Sequence, residues 1–129
     1  MNSSIIDLII RIKNGYMAKK ETIESPHSKF KEELLSKLQK LGFIKSYKVS
    51  KDGNKSNMTI ELSYEEGVPA LTDIKVSSRP GRRWYVSIKE MKPVMSGLGH
   101  AVVTTPKGIL TAVEAKKAQV GGELLFEIW

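Results

Sequence analysis

The hydrophobic period of this chain changes from helical to alternating at Gly42, and that change restricts the fold more than any other feature. Before Gly42 the apolar residues recur at helical spacing. Ile5, Ile6, Leu8, Ile9 and Ile12 form one stripe, with Ser3 or Ser4 able to accept from the first turn and Asn14-Gly15 as a stop. A second helix is expected after Ser25-Pro26, capped by Ser28 and ended by Gly42, with Phe30, Leu34, Leu38 and Leu41 on one face and Lys29, Lys31, Lys37 and Lys40 on the other. After Gly42 the period falls to two. "FIKSYKV" and "NMTIEL" alternate around Ser50–Gly53, whose Asp52-Gly53 pair signals a hairpin. "TDIKVS", "RRWYVSIK", "HAVVTT" and "ELLFEIW" continue as strands, the last with Leu124, Phe126 and Ile128 opposite Leu125, Glu127 and Trp129. A capping box at Thr111–Glu114 predicts one short helix, running through "EAKKAQ" to the Gly121-Gly122 pair. The expected class is α+β with two small subdomains: an N-terminal α/β half with two helices on a short sheet, residues 1–66, and a mainly β C-terminal half with a short helix, residues 70–129. "EEGVPAL", mixing charge, Gly and Pro, marks the boundary.

With 129 residues, 40% of them hydrophobic, the chain can bury a core. It has no cysteine, which excludes disulfides and thiolate metal sites and fits a reducing compartment. "IIDLIIRI" is cut by Asp7 and Arg11, far short of the roughly 20 apolar residues that span a bilayer, and carries no cleavage pattern of a signal peptide. A cytoplasmic protein without a membrane partner is expected. The formal net charge of +7 points to a polyanion. Residues 1–69 hold 12 Lys and Arg against 9 acids and residues 70–129 hold 9 against 5, so the halves carry +3 and +4.

The densest basic stretch has Lys75, Arg79, Arg82, Arg83, Lys89 and Lys92 against the single acid Glu90, with Trp84-Tyr85 interleaved. Arginine forks grip phosphates and aromatic rings offer a base a flat face. The same residues also fit a charged edge strand that resists aggregation, with either aromatic in the core. Enzymatic readings find less support. "GLG" at 97–99 has Val102 where a dinucleotide fingerprint needs glycine, and "PKG" lacks the spacing of a Walker loop. His27 and His100 have no carboxylate at ligand spacing, and nothing pairs Asp73 or Glu123 with a nucleophile, so neither a metal, a cofactor nor catalysis is expected. A last constellation, "TTPKG" at 104–108 with Gly121-Gly122-Glu123, fits either a plain β-turn or a polar ledge. Short hydroxyls can bond base edges, 2′-hydroxyls or phosphates, which suits an irregular RNA better than the DNA major groove.

"KPVMSGLGHAVVTTPKGILTAVEAKKAQVGGELLFEIW" resembles the carboxy-terminal signature of bacterial small-subunit ribosomal protein eight. "RIKNGYMAKKETIESPHSKFKEELLSKLQKLGFI" and "SSRPGRRWYV" resemble the same family's amino-terminal half and central turn, in colinear order. The resemblance implies a primary binder of the central domain of small-subunit ribosomal RNA that supports assembly beside neighbouring small-subunit proteins. It also implies a possible second partner, the messenger of the protein's own operon, repressed through a similar stem; self-association of the free protein is not expected. The family's Ser-Thr-Ser-Lys-Gly loop falls on Thr104, Thr105, Pro106, Lys107 and Gly108, its Gly-Gly-Glu on Gly121, Gly122 and Glu123, and its central turn on Ser78, Arg79, Pro80 and Gly81, followed by Tyr85. Arg82 and Arg83 join these as expected RNA contacts. Pro106 departs from the usual serine, having neither hydroxyl nor N–H, and fixes φ near −65°. Lys13, Asn14, Ser28, Lys29 and Lys31 match family positions as secondary contacts. The alternative from another class is a DNA-binding or regulatory module using the lysines of the second helix.

Overall fold

The computed structural model describes residues 2–79, 81–90 and 99–129. The chain forms two compact units: Asp7–Leu71, and Thr72–Trp129 together with the chain's start up to Ile6. The class is α+β.

Helix α1 spans Asn2–Met17, so Ser3 and Ser4 lie inside it rather than ahead of it, and it runs through the expected stop at Asn14-Gly15. Gly15 serves a close approach instead: a Cβ there would meet the Ile23 side chain at 2.6 Å. The helix closes two residues later, with Lys19 left-handed and Lys20 N–H donating to Gly15 O at 2.9 Å. Strand β1, Thr22–Pro26, was not expected, because "TIESP" holds one large apolar residue and no readable alternation. Helix α2, Lys29–Leu41, is capped by Ser28, whose side chain accepts from Lys31 N–H, and it ends at left-handed Gly42. Its buried face is Lys31, Leu34, Leu35 and Leu38, so Leu35 belongs to the core while Phe30 and Leu41 are only half-buried.

Strands β2 (Ser46–Asp52) and β3 (Lys55–Glu61) form the expected hairpin, turned one residue late on Gly53-Asn54, with Gly53 at φ 64°. The sheet order is β1-β3-β2, antiparallel throughout. The presumed linker is itself structured: β4 (Tyr64–Glu65) and β5 (Val68–Pro69) pair across Glu66-Gly67, both at positive φ. Tyr16 ties this unit together. Its buried hydroxyl donates to Phe43 O at 2.6 Å and accepts from Ser63 N–H at 2.9 Å, and its ring meets Tyr64 edge-on at 5.4 Å.

The other unit is built on a five-stranded antiparallel sheet. Its strands are β6 (Ile74–Val76), β7 (Tyr85–Val86), β8 (His100–Thr105), β9 (Gly108–Thr111) and β10 (Gly122–Ile128), in the order β6-β10-β8-β9 with β7 also pairing β10. "RRWYVSIK" thus supplies only two strand residues before a 3-10 turn at Ile88–Glu90. A bulge between Leu124 and Phe126 shifts the alternation of β10, so Leu125 is buried with Phe126 and Ile128 instead of opposing them. Helix α3, Ala112–Ala118, starts with the Thr111–Glu114 capping box and ends on left-handed Gln119, not on the glycine pair. Its Ala112 and Ala115 bury against Ala101 and Val103, with Leu124 and Trp129 packed around them.

Candidate nucleic-acid interface

The "TTPKG" stretch is a two-residue hairpin turn joining β8 to β9, with Thr105 paired to Gly108 across Pro106-Lys107. Gly108 sits at φ 109°, which only glycine adopts readily. The Thr105 hydroxyl is engaged within the turn: it donates to Gly108 O at 2.9 Å and accepts from Lys107 N–H at 3.1 Å. Lys107 Nζ reaches Ala118 O at 3.4 Å, at the electronegative end of α3. Pro106 and Lys107 are exposed. Thr104, half-buried, has no such engagement among the described residues.

The register carries Thr104 into a row with residues far away in sequence. Tyr85 pairs Glu123, Glu123 pairs Thr104, and Thr104 pairs Ile109, so Tyr85, Glu123 and Thr104 share one face at the same end of the sheet. Tyr85 and Thr104 are then about 10 Å apart, two strand spacings. Tyr85 is 64% exposed and Glu123 only 6%. Glu123 is therefore not an open surface carboxylate. Gly121 and Gly122 let three strands close there. A Cβ on Gly121 would lie 2.7 Å from Val86 O, and one on Gly122 would collide with the Thr104 carbonyl.

Beside this ledge stands an arginine hairpin. Arg79 and Arg82 exchange both backbone hydrogen bonds, at 3.0 and 2.9 Å, with Gly81 at the corner; Pro80 and Lys92 lie outside the described residues. Ser78, 1% exposed, pins it: its hydroxyl accepts from Trp84 N–H at 2.7 Å, while its own N–H and that of Ser77 donate to Leu125 O at the bulge. Leu124 N–H donates to Trp84 O at 2.8 Å. Arg79, Arg82 and Arg83 are exposed, and their side chains have no partner among the described residues. Neither aromatic is in the core, since Trp84 is 50% exposed. The acid of this stretch, Glu90, accepts from Ser87 N–H at 3.0 Å, and that bond holds its carboxyl below the ordinary range.

The secondary positions lie on the helical unit. Asn14 and Lys29 are exposed and Lys13 is half-buried, while Ser28 is engaged as a helix cap. Lys31 corrects the expectation of a surface cation: it is 7% exposed and its Nζ donates to Pro26 O at 3.4 Å. Sequence reading missed the anchoring role of the Leu125 bulge and the α3 carbonyl that receives Lys107. Neither has a local signal, because both arise from pairing between distant segments. Among the described residues no three His, Asp or Glu converge on a metal-sized site. His27 instead faces Glu32, with Nε2 and Oε1 2.7 Å apart.

The family model described as ribosomal protein S8 matches residues 3–129. A small ribosomal subunit protein uS8 from Erythrobacter litoralis is 42% identical over 129 residues, covering 100% of this chain and 98% of the relative. One from Nitrobacter winogradskyi is 43% identical over 126 residues, covering 97% and 96%. A third, from Caulobacter vibrioides, is 40% identical over 130 residues, covering 100% and 98%. The family match and these relatives span nearly the whole chain, and so the chain belongs to the ribosomal protein S8 family.

Proposed function

We propose that the protein is a non-catalytic, RNA-binding constituent of the small ribosomal subunit, working in the cytoplasm. It binds the central domain of small-subunit ribosomal RNA at a stem with an irregular core and supports assembly of that domain beside neighbouring small-subunit proteins. It is monomeric when free, and it represses its own operon through a similar stem in the messenger. Residues 70–129 carry the main RNA surface, and residues 1–66 add contacts from Lys13, Asn14, Ser28 and Lys29.

One observation supports this reading above the rest: Tyr85, Glu123 and Thr104 stand in one row at the sheet end that also holds the Thr105–Gly108 turn and the Gly121-Gly122 pair. Arg79, Arg82, Arg83 and Lys107 neutralise phosphates and set the register. The Thr104 hydroxyl bonds a 2′-hydroxyl or base edge, Tyr85 stacks, and Pro106 stiffens the turn without adding a donor. The test compares the central-domain stem with a regular duplex of equal length. Thr104→Val is expected to weaken binding to the irregular stem alone, by about 1 kcal/mol or roughly fivefold. Lys107→Ala is expected to weaken both RNAs alike. Equal losses from Thr104→Val on the two RNAs would refute this division of labour. Equal competition by duplex DNA would favour the DNA-binding module, which the burial of Lys31 leaves with fewer exposed cations.

A further inference from the structure

Among the described residues Trp84 is the largest exposed side chain, at 50% exposure. An indole in that state leaves a large flat face in water, on which a planar partner can stack. Its backbone is not loose. Trp84 N–H donates to the buried Ser78 hydroxyl at 2.7 Å and its carbonyl accepts from Leu124 N–H at 2.8 Å, so the ring projects from a residue held at both ends. Trp84 directly precedes β7 and lies outside the row that Tyr85 forms with Glu123 and Thr104. The segment from Ser77 to Ser87 contains three arginines and no acid. A partner at Trp84 must therefore offer both a flat apolar face and negative charge nearby, and an unpaired nucleotide offers both.

We propose that Trp84 is a second nucleobase-stacking platform, extending the RNA surface from Tyr85 toward the arginine hairpin, with Arg79, Arg82 and Arg83 holding the phosphates beside the stacked base. This rests on the RNA-binding reading above. The two adjacent aromatics then hold one base on Tyr85 and another on Trp84.

The test uses the whole protein and the central-domain stem, with titrations of wild type, Trp84→Phe and Trp84→Leu. Trp84→Leu keeps the apolar bulk but not the π-face, and is expected to weaken binding about 5- to 150-fold, with Trp84→Phe intermediate. The salt slope should not change, because no phosphate contact is removed. Independently, the fluorescence difference between wild type and Trp84→Phe isolates this indole from Trp129, and saturating RNA should quench it and shield it from acrylamide. Circular dichroism checks that the variants fold; should Trp84→Leu fail to fold, the fluorescence result decides alone. Wild-type binding with an unquenched, acrylamide-accessible Trp84 overturns the proposal while leaving the RNA-binding reading intact, and so does Trp84→Leu binding as tightly as wild type. A signal that appears only on adding another small-subunit protein also overturns it, assigning the indole to a protein contact. Absence of any wild-type binding to the stem removes the reading beneath it as well.

Discussion

The two threonines of the β8–β9 turn look equivalent in sequence and differ in what their hydroxyls do. Thr105 holds the turn through Gly108 O and Lys107 N–H, whereas Thr104 is bonded to neither. Thr105→Val should therefore lower stability by about 0.5–1.5 kcal/mol, seen as a lower urea midpoint, while Thr104→Val leaves stability within about 0.5 kcal/mol of wild type. The reverse order would show that the turn is not built as described. Tyr16 supplies a second single-residue test. Burial pushes its phenol above the ordinary value of 10.0, against the lowering by the Ser63 hydrogen bond and with a smaller raising by Tyr64. A raised pKa means that the folded state holds the proton longer than the unfolded chain. Its contribution is complete below pH 10 and is lost as pH rises above that value. Tyr16→Phe leaves Phe43 O and Ser63 N–H without this partner, so it should cost about 1–3 kcal/mol in denaturant unfolding at neutral pH. The variant should also lose the Tyr16 share of the alkaline decline.

Helix and turn ends show where local chemistry is imperfect. Lys19, Glu66 and Gln119 all occupy left-handed conformations, at φ 56°, 52° and 56°, where glycine is usual. Replacing any one with glycine should stabilise the fold by about 0.5–1 kcal/mol, measurable as a rise in Tm. Gly122 is the opposite case. Its neighbours leave no room for a Cβ beside the Thr104 carbonyl, so Gly122→Ala should cost about 2–4 kcal/mol and weaken RNA binding by spreading the β8 and β10 ends. A Gly122→Ala variant of unchanged Tm and affinity would contradict the close approach of these strands.

The formal charge of +7 acts over the whole protein, drawing a polyanion toward both halves before any specific contact forms. Log affinity for the stem should fall linearly with log salt, by about 0.7 to 0.9 per phosphate contact, and a flat profile would exclude the cationic contribution. What was legible in the residues was local. The Ser28 cap, the Gly42 stop, the Thr111–Glu114 box and the "HAVVTT" strand each depend on atoms within a turn or a strand of one another, and each stands as read. β1, the burial of Lys31 and the phase shift at Leu125 were not legible, because each depends on a partner segment that no local pattern names. The candidate site divides the same way. Its residue types and charge are written in the chain, and so is the resemblance to its family. Only pairing across β7, β10 and β8 sets Tyr85, Glu123 and Thr104 in a row and buries the carboxylate between them. Hydrogen bonds between strands some 20 to 40 residues apart in sequence make that choice, and they exist only once the sheet has closed.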